Sequence, residues 1–233
     1  MPATLSRMGN SALAFVFDMD GVIVDSNPYH EIALRQFCRK YGRDLSEEEL
    51  REKIFGRRNR DWLTRVFGDL SEEEIQKYGE EKEALFRQLY EKDIQPVAGL
   101  KEFLDEVAKL GIPRCIATSA PRANVDFVLD KTGLGRYFEV VLDESFVKEG
   151  KPHPEVYLKA AGALNFPPDR AIVFEDSLAG VEAARAAGCP VIGVTTTHTA
   201  EELTHTDLVI DDFTGIDPGS LLSRFLTRDR SDG

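Results

Sequence analysis

Six short apolar runs alternate with helix-forming, Ala-rich stretches along this chain: Leu13–Phe17, Ile112–Thr118, Val140–Leu142, Ala171–Phe174, Val191–Thr195 and Leu208–Ile210. That alternation constrains the fold more than any other feature. Parallel strands need long crossover connections, and helices supply them, so the pattern predicts βαβ units and a mostly parallel sheet. The expected class is α/β: a Rossmann-like, mostly parallel core sheet flanked by helices. Residues 27–95 break the rhythm. They are acidic, rich in Glu, Lys, Arg and Leu, and hold no strand-like run.

The interruption reads as several helices with defined ends. Asn27-Pro28 offers an N-cap and a proline in the first turn, and Gly42 can end that helix. Ser46-Glu47-Glu48-Glu49 and Ser71-Glu72-Glu73-Glu74 have capping-box spacing. Phe86, Leu89 and Tyr90 then fall at helical spacing. Pro96-Val97-Ala98-Gly99 stops the pattern before an amphipathic helix, Leu100–Leu110, closed by Gly111. Residues 1–26 and 96–233 are thus expected to form the core, and 27–95 an all-helical cap inserted after the first strand. An insertion there sits at the carboxyl end of the sheet, where ligands bind in parallel α/β folds, and can act as a lid.

The charge balance narrows the partners. Lys and Arg total 29 against 41 Asp and Glu, a formal net charge of −12 in 233 residues. Nucleic-acid backbones call for a basic surface, so no nucleic acid is expected. A small phosphorylated ligand needs only local positive charge. Cys38, Cys115 and Cys189 lie far apart in no zinc-like spacing and read as buried thiols of a reduced, cytoplasmic protein. No apolar run approaches the ~20 residues that span a bilayer, and the first ten residues lack the apolar stretch of a secretory signal. A monomer is the default.

Chemistry gathers where the strands end. Asp18-Met19-Asp20-Gly21 follows the first run directly, and a buried strand tolerates two such acids only if they are solvated, bonded or bound to a cation. On its own the pattern also fits a solvated strand exit. After the second run, Thr118-Ser119 offers a hydroxyl and backbone N–H groups to an anion, or an ordinary helix cap. Gly150-Lys151-Pro152-His153-Pro154 sets a lysine just before two stiffening prolines, suited to a phosphoryl oxygen or to clustered carboxylates. Ala171–Phe174 runs into Glu175-Asp176-Ser177 and a helix of small residues. Two parallel strands ending in acids can together hold Mg²⁺, which favours hard oxygen ligands.

These four segments, in this order from about Leu13 to Asp212, resemble the haloacid dehalogenase superfamily of aspartate-nucleophile phosphotransferases. The resemblance implies that Asp18 is the nucleophile forming an aspartyl-phosphate and that Asp20 is the general acid and base. Thr118 and Lys151 would hold the phosphoryl oxygens and the nucleophile, with Ser119 alongside. Asp18, the backbone carbonyl of Asp20, and Asp176 would hold Mg²⁺, with Glu175 close by, directly or through water. Superfamily members that cleave carbon–halogen or carbon–phosphorus bonds typically lack the second aspartate, so Asp20 argues for a phosphatase.

The insertion beginning at Asp25-Ser26-Asn27-Pro28-Tyr29-His30 resembles the branch that holds sugar-phosphate phosphatases and beta-phosphoglucomutase. His30 matches a histidine at the hinge of that branch, or packs as an ordinary helix residue. Phe55-Gly56-Arg57-Arg58-Asn59-Arg60-Asp61 resembles the cap segment that reaches toward substrate, and its three arginines are candidates for binding a second phosphate or sugar hydroxyls, with Arg58 and Asn59 as the expected site residues. A solvated, glutamate-paired face is the alternative. Lys82 aligns with a cap lysine of the branch, against a surface ion pair. The mutase holds its distal phosphate with a Ser-Lys-Asn cluster after the second motif. Ala120-Pro121-Arg122-Ala123-Asn124 lacks it here. The expectation is a Mg²⁺-dependent phosphatase of a small phosphorylated metabolite, with a hexose-phosphate mutase as second reading. A non-catalytic phospho-ligand-binding protein is the alternative from another class.

Overall fold

The structure, a computed structural model, describes residues 11–46, 48–50, 54 and 57–228. Glu47, Phe55, Gly56 and the tail 229–233 lie outside the described residues. Six strands form one sheet: β1 (Ala14–Phe17), β2 (Arg114–Ala117), β3 (Val140–Leu142), β4 (Ala171–Glu175), β5 (Val191–Val194) and β6 (Leu208–Ile210). They lie in the order β3-β2-β1-β4-β5-β6, and every pair is parallel. The strand order reverses between β1 and β4, which opens a crevice at their carboxyl ends where such sheets bind ligands.

Period-two alternation divides the core between the two faces of the sheet. Phe15 and Phe17 of β1, Ile116 of β2, and Ile172 and Phe174 of β4 point to one side. Ala14, Val16, Cys115, Ala117, Ala171 and Val173 point to the other. The first face is aromatic: Phe17 stacks on Phe174 with ring centroids 4.7 Å apart, and Phe103 lies 5.9 Å from Phe15. The second face takes small residues, so Ala183 and Ala184 of a covering helix approach it closely.

Eight α-helices and three short 3₁₀ turns accompany the strands among the described residues. The insertion contributes α1 (Asn27–Lys40), α2 (Asn59–Phe67) and α3 (Glu72–Tyr90). The sheet is flanked by α4 (Leu100–Lys109), α5 (Arg122–Thr132), α6 (Glu155–Ala163), α7 (Leu178–Ala187) and α8 (Pro218–Arg228). The insertion has an apolar cluster of its own, with Phe37, Trp62 and Leu63 at its centre. Ala33, Phe86 and Tyr90 instead join the aromatic face of the sheet, so α1 and α3 reach into both cores. No helix among the described residues is long and apolar enough to cross a membrane. Cys38, Cys115 and Cys189 are buried and unpaired.

Most end signals act as expected. Ser71 and Glu74 form a reciprocal capping box at α3, and Ser46 exchanges the same two bonds with Glu49. Gly42, at φ 73°, follows the last turn of α1. The start of α1 differs from expectation. Ser26 occupies the N-cap position, Asn27 is already helical, and neither side chain caps the helix. Both are drawn to carboxylates of the sheet: Ser26 Oγ donates to Asp20 Oδ1 at 2.5 Å and Asn27 Nδ2 to Asp176 Oδ2 at 3.0 Å. Aiming the donor of each side chain at a carboxylate takes its oxygen away from the first-turn N–H groups that a cap would bind.

Phe174 joins the stacked ring of Phe17 to the rest of the aromatic face. Phe174→Ala is expected to cost about 3–5 kcal/mol of stability, measured as a lowered denaturant midpoint at unchanged slope.

Candidate active site

Both acid pairs lie at the switch point. Asp18 follows the last residue of β1, and its N–H donates to Phe174 O on β4 at 3.0 Å. The chain then turns tightly, with Ile23 N donating to Met19 O at 2.8 Å and Gly21 at φ +81°. Gly21 is required twice over: its backbone is left-handed, and a Cβ there would overlap the Asp176 carboxylate. On the neighbouring strand Glu175 ends β4, and Ser177 caps α7 by accepting from Gly180 N at 3.1 Å. Gly180 is needed for the same reason, since a Cβ would run into Glu175.

Lys151 enters from the loop before α6 and is 2 % exposed. Its Nζ stands 2.9 Å from Asp18 Oδ1 and 2.5 Å from Glu175 Oε1. Glu175 is saturated with donors. Tyr157 Oη donates to Oε1 at 2.6 Å, and Asp176 N, Ser177 N and Ser177 Oγ each donate to Oε2 at 3.0 Å. Burial opposes its charge, but Lys151 and these bonds hold its carboxyl below the ordinary glutamate range. Glu175 therefore serves Lys151 as a counter-ion.

The other two acids are less well balanced. Asp18 Oδ1 is buried, and the ammonium beside it does not complete a hydrogen bond in geometry. Burial, with the charges of Glu175 and Asp20, pushes Asp18 up despite Lys151. Burial and the charges of Glu175 and Asp18 push Asp176 well up as well, although Thr197 Oγ1 donates to its Oδ2. Oxygens of Asp18, Glu175 and Asp176 lie within 4.8 Å of one another. Three clustered carboxylates face one ammonium, and the donors are hard oxygens. That set fits a small divalent cation such as Mg²⁺.

Asp20 is held from its other side. Besides Ser26, its Oδ1 lies 3.3 Å from His30 Nε2. Burial would raise its pKa, but His30 and the Ser26 bond, with Lys82 further off, hold the carboxyl below the usual aspartate range. The His30 ring stacks on Phe86 with centroids 3.6 Å apart. Lys82 is buried rather than on the surface: its Nζ meets His30 Nδ1 at 3.0 Å and Glu83 Oε1 at 2.7 Å.

One pocket between the sheet and the insertion brings most of the expected residues together. Asp18, Asp20, Thr118, Ser119, Asp176, His30, Lys82 and Asn59 all line it. Thr118 is 2 % exposed, and its Oγ1 accepts from Ala120 N at 3.0 Å. Asn59 is braced by Trp62 Nε1, which donates to its Oδ1 at 2.9 Å. Arg58 does not line this pocket. It pairs with Asp61 at 3.0 Å and donates to Val147 O and Lys148 O across the lip, at 3.3 and 2.9 Å. Its neighbour Arg57 lines the pocket in its stead. The extended backbone at Arg58, just before α2, sends successive side chains opposite ways. Sequence reasoning also passed over Asn27, Thr197 and Tyr157. Thr197 was within reach of it, because the Thr195-Thr196-Thr197 run follows β5 as the acids follow β1 and β4.

Gly21→Ala should displace Asp176 from the cluster. The expected result is at least ~10-fold weaker binding of added Mg²⁺, read by titration calorimetry, the size of change that comes from disturbing residues around a metal site. The circular dichroism spectrum should not change.

Comparison with known proteins follows the same lines. Residues 13–188 match the haloacid dehalogenase-like hydrolase family. A phosphorylated carbohydrates phosphatase of Thermotoga maritima is 36% identical over 180 residues, covering 75% of this chain and 81% of the relative. Hexitol phosphatase A of Escherichia coli is 34% identical, covering 84% and 89%. Among solved structures, a beta-phosphoglucomutase from Clostridium difficile superposes with a TM-score of 0.81 at 29% identity, covering 92% of this chain and 97% of that one. A match over most of the chain, carried by the strands and strand ends that build the pocket, makes this chain a member of the haloacid dehalogenase-like hydrolases.

Proposed function

We propose that the protein is a Mg²⁺-dependent phosphatase of a small phosphorylated metabolite, a sugar or polyol phosphate, working through an aspartyl-phosphate at Asp18. The observation that carries this reading is the buried Asp18–Lys151–Glu175 arrangement beside Asp176, with Asp20 two residues on and separately held. Relatives that are phosphatases of phosphorylated carbohydrates and hexitols support the substrate class.

Asp18, Asp176 and the backbone carbonyl of Asp20 would hold the cation. When bound, Mg²⁺ supplies positive charge that lets a phosphate dianion approach the carboxylates. The remaining chemistry belongs to the chain. Thr118 and Lys151 hold phosphoryl oxygens, and Lys151 keeps Asp18 aimed. An Asp18 oxygen bonds to phosphorus as the ester oxygen leaves, and Asp20 gives that oxygen a proton. Asp20 then takes a proton from water, whose oxygen attacks the aspartyl-phosphate, releasing inorganic phosphate and restoring Asp18.

The helical insertion serves as the cap. Arg57 and Asn59 are its contributions to the leaving-group side of the pocket. The mutase reading has less to stand on. Arg122 is exposed and paired with Asp126 at 2.8 Å, and both ends of the Asn124 amide are bonded within the protein. Asn124 lines the pocket, but with its amide committed to Arg87 and Glu83 it offers little to a distal phosphate in place of the missing Ser-Lys-Asn cluster.

Asp18→Asn should abolish phosphate release from sugar phosphates with the fold intact; appreciable turnover would remove Asp18 as nucleophile. Asp20→Ala should slow the phosphorylation step by roughly 10²–10⁴-fold for an alkyl phosphate and much less for an activated aryl phosphate. Equal losses would exclude Asp20 as the leaving-group acid. Chelation by EDTA should stop turnover and added Mg²⁺ restore it.

A further inference from the structure

Asn124 stands at the far end of a line of hydrogen bonds that begins at Asp20. It lies on α5, flanking the sheet, and is 0 % exposed. Its Oδ1 accepts from Arg87 Nη1 at 2.7 Å, and its Nδ2 donates to Glu83 Oε2 at 2.7 Å. A guanidinium only donates and a carboxylate only accepts, so the amide has one orientation. Glu83 Oε1 takes a bond from Lys82 Nζ at 2.7 Å, and Lys82 Nζ meets His30 Nδ1 at 3.0 Å. An ammonium has no acceptor, so Nδ1 must accept, which assigns the imidazole proton to Nε2. Nε2–H then donates to Asp20 Oδ1 at 3.3 Å. Donors run from Arg87 through Asn124 to Glu83 and from Lys82 through His30 to Asp20, and the two runs join at Glu83, which accepts from both Asn124 and Lys82.

We propose that Asn124 is a positioning residue for proton transfer at Asp20, acting through Glu83, Lys82 and His30. With Nε2–H and Ser26 Oγ both on Oδ1, the other oxygen, Oδ2, is left to exchange the proton with the leaving group and then with water. The line also crosses between units. Asp20 and Asn124 belong to the sheet side, while His30, Lys82, Glu83 and Arg87 belong to the insertion. The acid is therefore fully oriented only when α3 is seated against α5. Apolar side chains of similar volume would join two helices without the desolvation cost of buried charge. Only directional bonds select an imidazole tautomer. The inference rests on the reading of Asp20 as acid and base.

A double-mutant cycle at 83 and 124 tests it. Asn124→Asp sets two carboxylates against each other across the present 2.7 Å contact. Glu83→Gln leaves one oxygen where two acceptors are needed. Combining them rebuilds the line with one bond reversed: the amide at 83 accepts from Lys82 and donates to the carboxylate at 124, which still accepts from Arg87. Net charge is unchanged. Each single variant should slow pre-steady-state phosphorylation by an alkyl phosphate about 30-fold, a fraction of what a general acid contributes. For 4-nitrophenyl phosphate the loss should stay under about 3-fold, because that leaving group needs little protonation. KM should hold, and the double variant should recover most of the lost rate.

Equal losses on both substrates, a change confined to KM, or no recovery in the double variant would overturn the proposal. A second measurement needs no variant. Long-range ¹H–¹⁵N correlation on the wild-type protein, at alkaline pH where an imidazole is neutral, should find His30 as the Nε2–H tautomer. The Nδ1–H tautomer would overturn the directional line even if the variants fail to fold. Asp20→Ala separates the two levels. If it shows no leaving-group dependence, the reading of Asp20 fails; if it does and the variants at 83 and 124 do not, only the role of Asn124 fails.

Discussion

The Lys151 ammonium lodged between Asp18 and Glu175 is the contact on which the site depends. Two parallel strands that both end in acids bring buried like charges together, and burial alone would drive protons onto them. Glu175 escapes because five donors converge on it, and in that state it anchors Lys151. Lys151 in turn meets Asp18, which leaves that carboxylate aimed at the pocket and short of one partner. Gly21 and Gly180 have no side chains because the acids occupy the space. The sheet core thus supplies a carboxylate short of one partner, a counter-ion and unbalanced negative charge within one crevice.

The helical insertion is joined to this crevice by polar contacts as much as by apolar ones. Its own cluster around Trp62 joins α1, α2 and α3. What ties it to the chemistry is the first turn of α1, where Ser26, Asn27 and His30 reach Asp20 and Asp176. The segment that leads out of the sheet therefore orients the acids at its mouth. On the opposite side, Glu83 and Arg87 close on Asn124, and Arg58 closes on the backbone just before Lys151. The contacts that join the insertion to the sheet side are thus also the ones that orient the acids.

Local pattern made much of this legible. The apolar runs locate the strands to within a residue or two, because period-two burial and the helical crossovers both leave marks in composition. The ends are less well marked. Ile112 and Pro113 precede β2 rather than belong to it, and β4 runs one residue into its acids, where Glu175 pairs with Gly193. Asp18, Asp20, Thr118 and Asp176 stand out because strand-end position is itself a sequence property, and Lys151 because two prolines follow it. Tyr157 carried no such mark: one helical tyrosine reads like any other until Glu175 is found against it. Arg57 and Arg58 are neighbours in sequence and opposite in use, which no composition distinguishes.

The sequence by itself determined a parallel α/β core, a helical interruption after its first strand, acids and a hydroxyl at strand ends, and a lysine stiffened by the prolines after it. It did so because strand period, crossover length and the cost of burying charge are local or additive constraints. Only the tertiary structure decided which residues share a carboxylate. The reversal of strand order between β1 and β4 sets Asp18 beside Asp176, although 157 residues lie between them in the chain. The docking of α3 against α5 turns Lys82 from a surface ion pair into the contact that assigns the His30 proton. Hydrogen-bond direction depends on partners distant in the chain, and that information exists only once the chain has folded.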